Sequence, residues 1–111
     1  MNDRELLELA AKAAGMENHH FRADLICEYR KGGFVSLVDW NPLSYDGDAL
    51  RLAVRLRIDV SFVENQVDVC WFVPATGYTH FKSETINDAQ GEREATRRAI
   101  VRAAAAIGKE M

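Results

Sequence analysis

Residues 58–82 read IDVSFVENQVDVCWFVPATGYTHFK, and the fold follows from how this stretch is divided. Ile58 to Val63, Val67 to Val73 and Tyr78 to Lys82 are rich in β-branched and aromatic residues. They are separated by Glu64-Asn65-Gln66 and by Pro74-Ala75-Thr76-Gly77, both made of turn formers. Connections this short reverse the chain rather than carry it across a sheet, so the three strands form an antiparallel meander.

Working outward, Ala49, Leu52, Ala53 and Leu56 recur at helical spacing just before the meander, with Arg51, Arg55 and Asp48 assigned to water and Ser44 or Asp46 as the cap. Before that helix, Trp40-Asn41-Pro42-Leu43 closes a strand, because proline cannot donate to a ladder. That strand, Phe34 to Trp40, is joined through Lys31-Gly32-Gly33 to an alternating run from His19 to Arg30, and the two are expected to pair as a hairpin. A first helix is expected over Arg4 to Ala14, capped by Asn2 or Asp3, with Leu6, Leu9, Ala10 and Ala13 inward and Gly15 as its stop.

After the meander, a last helix is expected from Asp88 or Glu92 to Ile107. Ala95, Ala99, Ile100, Ala103, Ala106 and Ile107 face inward, and Gly108 ends it. The expected fold is therefore α+β in the order α-β-β-α-β-β-β-α, a mainly antiparallel sheet of about five strands with three helices packed on one face. At 111 residues and 48% hydrophobic content, the chain is read as one domain over residues 1–111.

The net charge of −3 offers no general attraction for phosphate backbones. Asp3, Arg4, Glu5 and Glu8 interrupt the N-terminal region where a signal peptide needs an apolar core, and no stretch is long enough to span a bilayer. A cytoplasmic protein without membrane contact is expected, with Cys27 and Cys70 reduced and buried in their strands.

The sequence carries no complete catalytic pattern. His19 and His20 point to opposite faces of a strand and His80 is distant, so no metal set is assigned. Asp46 and Asp48, with Asp39 before them, lack the further oxygen ligands of a calcium loop and are read as helix-start acids. No G-x-S-x-G elbow is present, neither Cys27 nor Cys70 lies in a context that would lower its pKa, and Lys31-Gly32-Gly33 does not lead into a helix. No catalytic residue and no cofactor is assigned.

What remains is surface. Arg93, Arg97, Arg98 and Arg102 recur along one side of the last helix, either as a solvated face paired with nearby acids such as Glu94 or as a candidate interface, separable from folding. Trp40 and Tyr45, beside the Asn-Pro turn, are candidate aromatic anchors. For Trp40 the first expectation is a structural corner with Pro42, its ring packed near Leu52 or Leu56 while Asn41 turns the chain, and the anchor is the alternative.

The block WNPLSYDGDALRLAV over residues 40–54, with ATRRAIVRA over residues 95–103, resembles a group of short phage and prophage proteins that includes the NinX-like proteins. The resemblance implies a viral or prophage origin and a non-enzymatic binding role toward a host or defence protein, and it carries over no active-site residue. A homodimer is left open. A nucleic-acid contact through the arginine face ranks second, and a small enzyme with an unrecognised site third.

Overall fold

The computed structural model describes residues 1–16, 19–21, 27–31, 34–38 and 40–111. Helix α1 spans Asp3–Ala13. Strands β1 (His19–Phe21), β2 (Cys27–Lys31) and β3 (Phe34–Val38) follow, then helix α2 (Asp46–Leu56). Strands β4 (Asp59–Val63), β5 (Gln66–Val73) and β6 (Tyr78–Thr85) lead to helix α3 (Glu92–Lys109).

The helix starts and stops follow local chemistry. The Asn2 side chain accepts from the Glu5 amide at 2.8 Å, satisfying one of the free donors at the start of α1. Gly15, at φ 79°, turns the chain out of the helix while the Met16 amide bonds back to the Ala11 carbonyl at 3.0 Å. Helix α2 starts at Tyr45 without a side-chain cap, so neither Ser44 nor Asp46 plays the capping part expected of it. It ends at Arg57 in the left-handed region, φ 56°.

The strands form two three-stranded antiparallel sheets, β1-β2-β3 and β4-β5-β6, instead of the single sheet of about five expected. The run read as one strand from His19 to Arg30 contains two, which pair with each other from His19↔Tyr29 to Phe21↔Cys27. Alternation is the same in one long strand as in two short ones that fold together, so the pattern concealed the reversal. The expected hairpin to the next strand is present, from Cys27↔Val38 to Lys31↔Phe34. The meander is also as read, with Asp59↔Cys70 to Val63↔Gln66 and Gln66↔Thr85 to Val73↔Tyr78, its last strand running on to Thr85.

The core lies where the second sheet meets α3. Val67, Val69 and Trp71 alternate inward along β5, against Ala95, Ala99, Ile100, Val101 and Ala103 of α3 and Ala49, Leu52 and Ala53 of α2. Helix α3 is the shared partner, packed on α1, α2, β5 and β6. Its many alanines bring these elements close on several sides at once. Gly108 belongs to this packing and does not end the helix as expected: an added Cβ would overlap the Leu9 carbonyl of α1. A second small cluster, Leu7 with Ala11, lies on another side of α1, and Trp40 and Leu43 pack against both clusters.

Among the described residues, no helix is long and apolar enough to cross a membrane.

Candidate protein-binding surface

The 40–54 block is a structural unit. The Asn41 side chain accepts from the Leu43 amide at 3.0 Å, a local turn that brings the Asn41 amide over the start of α2. There the Asp48 carboxylate accepts from the Asn41 amide at 2.9 Å and from Arg51 at 2.6 Å. Asp48, expected to face water, is 6% exposed: the preceding turn folds back over it and supplies one donor, the Asn41 amide, and Arg51 of α2 supplies the other. Pro42 is fully buried at the corner, and Trp40 packs half-buried on the cluster that contains Leu52. Of the two aromatic candidates, only Tyr45 is exposed.

The arginines of α3 do not form an uncommitted stripe. Arg97 donates to the Leu43 carbonyl at 2.9 Å and to Asp46 at 2.6 Å, and its side chain is 18% exposed. Arg98 pairs with Asp3, the first residue of α1, at 3.2 Å. Arg102 reaches β6, donating to the Ser83 carbonyl at 3.2 Å and pairing with Glu84 at 3.3 Å. Arg93 is the solvated member, 85% exposed and loosely paired with Asp46 at 3.6 Å. The expectation that Arg97, Arg98 and Arg102 are separable from folding is therefore corrected. Spacing put them on related faces of a helix, but α1, α2 and β6 lie against those faces and place a carboxylate opposite each guanidinium.

Beside Arg93 lies a surface that sequence reasoning missed. Helices α2 and α3 and strand β4 enclose a groove of about 400 Å³, with Ala53, Val60 and Ile100 along its base and Asp46, Glu92 and Arg93 at its rim. Leu50 and Phe62 line it and remain 63% and 66% exposed. One signal was available. Leu50 and Val54, spaced by four on α2, fall off the stripe of Ala49, Leu52, Ala53 and Leu56, and both are exposed.

The remaining candidates for chemistry are dispersed. Cys70 is half-buried on the outer face of the second sheet, not in the core as expected, with its Sγ 3.8 Å from Asp59. Partial burial, reinforced by the Asp59 charge and that hydrogen bond, raises its thiol pKa above the ordinary value. His80 stacks on Trp71 with ring centroids 5.6 Å apart. Among the described residues no three His, Cys, Asp or Glu side chains gather closely enough to share an ion. The side chains of His19, His20 and Cys27, and residue Asp39, lie outside the described residues.

No family model, curated protein or solved structure matches the chain.

Proposed function

We propose that this chain is a small accessory protein of phage or prophage type that acts without catalysis, by binding a host or defence protein through the groove between α2, α3 and β4. The observation that carries the reading is the pairing of Leu50 and Phe62, two large apolar side chains left largely in water beside the Asp46–Arg93 pair. An apolar centre with a charged rim is the anatomy of a surface that loses water to a partner, and aromatic and arginine side chains carry much of the energy at such surfaces. Arg93 and Tyr45 stay in the proposal as exposed contacts. Trp40 packs on the core beside the adjoining turn and Arg97 ties that turn to the start of α2, whereas Arg98 and Arg102 lie outside the groove, against α1 and β6. The resemblance of the 40–54 block to short phage proteins supports the class of partner, and the cytoplasm as its place.

The test replaces both exposed apolar groups by acids, Leu50→Asp with Phe62→Asp, and compares affinity capture from host lysate by the parent and the variant. Because both side chains are exposed, the variant should keep its circular dichroism spectrum and melting temperature. A protein retained by the parent and lost by the variant supports the reading, and equal retention by both removes the groove from it.

A further inference from the structure

At the other end of α3, a second cleft gathers charge of one sign. It lies between α1, α3 and β6 and measures about 430 Å³. Lys82 of β6 and Arg98, Arg102 and Lys109 of α3 line it, with Glu84 as the one acid in its lining among the described residues. Ala105 and Ala106 line it as well and give it an apolar wall. The chain as a whole is acidic, so four basic side chains against two acids, Glu84 in the lining and Asp3 paired with Arg98, run against its composition.

The arginines are held in place by structure. Arg98 uses one terminal nitrogen on Asp3, and Arg102 uses one on the Ser83 carbonyl and Glu84. Each guanidinium keeps further N–H donors in a fixed fork. Among the described residues, neither Lys82 nor Lys109 makes an ion pair. The cleft thus combines two oriented forks with two mobile ammonium groups, a donor set suited to an anion with several oxygens. Its volume falls in the range of small-molecule sites.

We propose that this cleft binds a phosphorylated small molecule, its phosphate held by Lys82, Arg102 and Lys109 and its less polar part resting on Ala105 and Ala106. A phosphate ester fits better than a nucleic-acid strand. A strand needs cations repeated along a track, whereas Arg93 and Arg97, further along the same helix, face Asp46. This site is separate from the groove at Leu50 and Phe62, so the two readings stand or fall independently.

The experiment is an amide NMR titration of the full chain with inorganic pyrophosphate and with adenosine monophosphate, using adenosine and sodium chloride at matched ionic strength as controls. Both phosphates should move the amides of residues 82–84 and 98–109, while the controls leave them in place. Lys82→Ala with Lys109→Ala should weaken pyrophosphate binding by roughly tenfold or more with the fold intact, and Lys82→Arg with Lys109→Arg should retain it. The proposal is overturned if pyrophosphate moves none of these amides at millimolar concentration, or if the double alanine variant binds as the parent does. It is also overturned if adenosine binds as tightly as its monophosphate, or if a single-stranded oligonucleotide binds this face and pyrophosphate fails to displace it.

Discussion

Gly108 of α3 lies against the main-chain carbonyl of Leu9 in α1, close enough that a methyl group at position 108 would occupy the space of that oxygen. The contact is between backbone and backbone, so no side-chain rotation relieves it, and the two helices approach as closely as they do only because this residue has no Cβ. In an ordinary helix interior, glycine to alanine is stabilising by up to about 1 kcal/mol. Here the sign reverses. Gly108→Ala should destabilise the fold by about 1 to 3 kcal/mol, the usual cost of overpacking, visible as a lower urea midpoint. A higher midpoint would show that α1 and α3 can separate at little cost.

Asp48 joins the Asn41 turn to α2 through a buried carboxylate. Asp48→Ala leaves the Asn41 amide without its acceptor and should cost about 1 to 3 kcal/mol. Asp48→Asn keeps an acceptor oxygen and should recover part of that loss. Chemical denaturation of the two variants side by side reads the difference, and equal stability of the parent and Asp48→Ala would refute the account.

The arginines should divide by what they touch. Arg97→Glu removes a bond to the Leu43 carbonyl and sets a carboxylate against Asp46, and Arg98→Glu does the same to Asp3. Each should lower stability, Arg97→Glu by about 1 to 3 kcal/mol because that side chain is the more enclosed. Arg93→Glu, at an exposed position, should stay within about 0.5 kcal/mol of the parent. Thermal melts of the three single variants decide it, and three equal melting temperatures would return the stripe to solvent.

Cys70 should behave as a slow thiol. Its pKa is raised, so near neutral pH the reactive thiolate is scarcer than in a free cysteine, and alkylation by iodoacetamide should accelerate only as pH climbs beyond the ordinary thiol range. Asp59→Asn removes the neighbouring charge, which lowers the pKa and should speed labelling at a fixed pH. The rate is followed by mass spectrometry of the peptide containing Cys70. An unchanged rate in the variant would mean that burial alone sets the reactivity.

Much of the architecture was legible because it is periodic. The stripes of Leu6 and Ala10, of Ala49 and Leu52, and of Ala95 and Ala99 each marked a helix, and Glu64-Asn65-Gln66 and Pro74 to Gly77 marked the turns of the meander. The Trp40–Pro42 corner was legible for a local reason, since proline ends strands and buried tryptophan fills corners. What stayed hidden depends on the neighbour. A polar residue such as Asp48 reads as solvated until the preceding turn is seen to close over it with the Asn41 amide, and a glycine after an apolar stripe reads as a stop until another helix is found against it. The four arginines have the spacing of a stripe, but spacing cannot say which elements come to lie over it. The Leu50–Phe62 groove needs α2 and β4 side by side, a juxtaposition that neither segment encodes alone.

Arg97 and Arg98 are consecutive, yet one holds the first turn of α2 and the other the first turn of α1. The consequence concerns the order of events during synthesis. Helix α1 is made well before α3, which carries the surface it packs on and the cation that faces its opening aspartate. Until α3 emerges, Leu6 and Ala10 lack the wall that this helix gives them, and the nascent chain carries that part of the apolar face of α1 exposed while residues 16–92 are made. Docking of α3 then closes the core and neutralises Asp3 and Asp46 in one step. Chaperone dependence in vivo should accordingly track the time taken to translate residues 16–92 more closely than the stability of the finished protein.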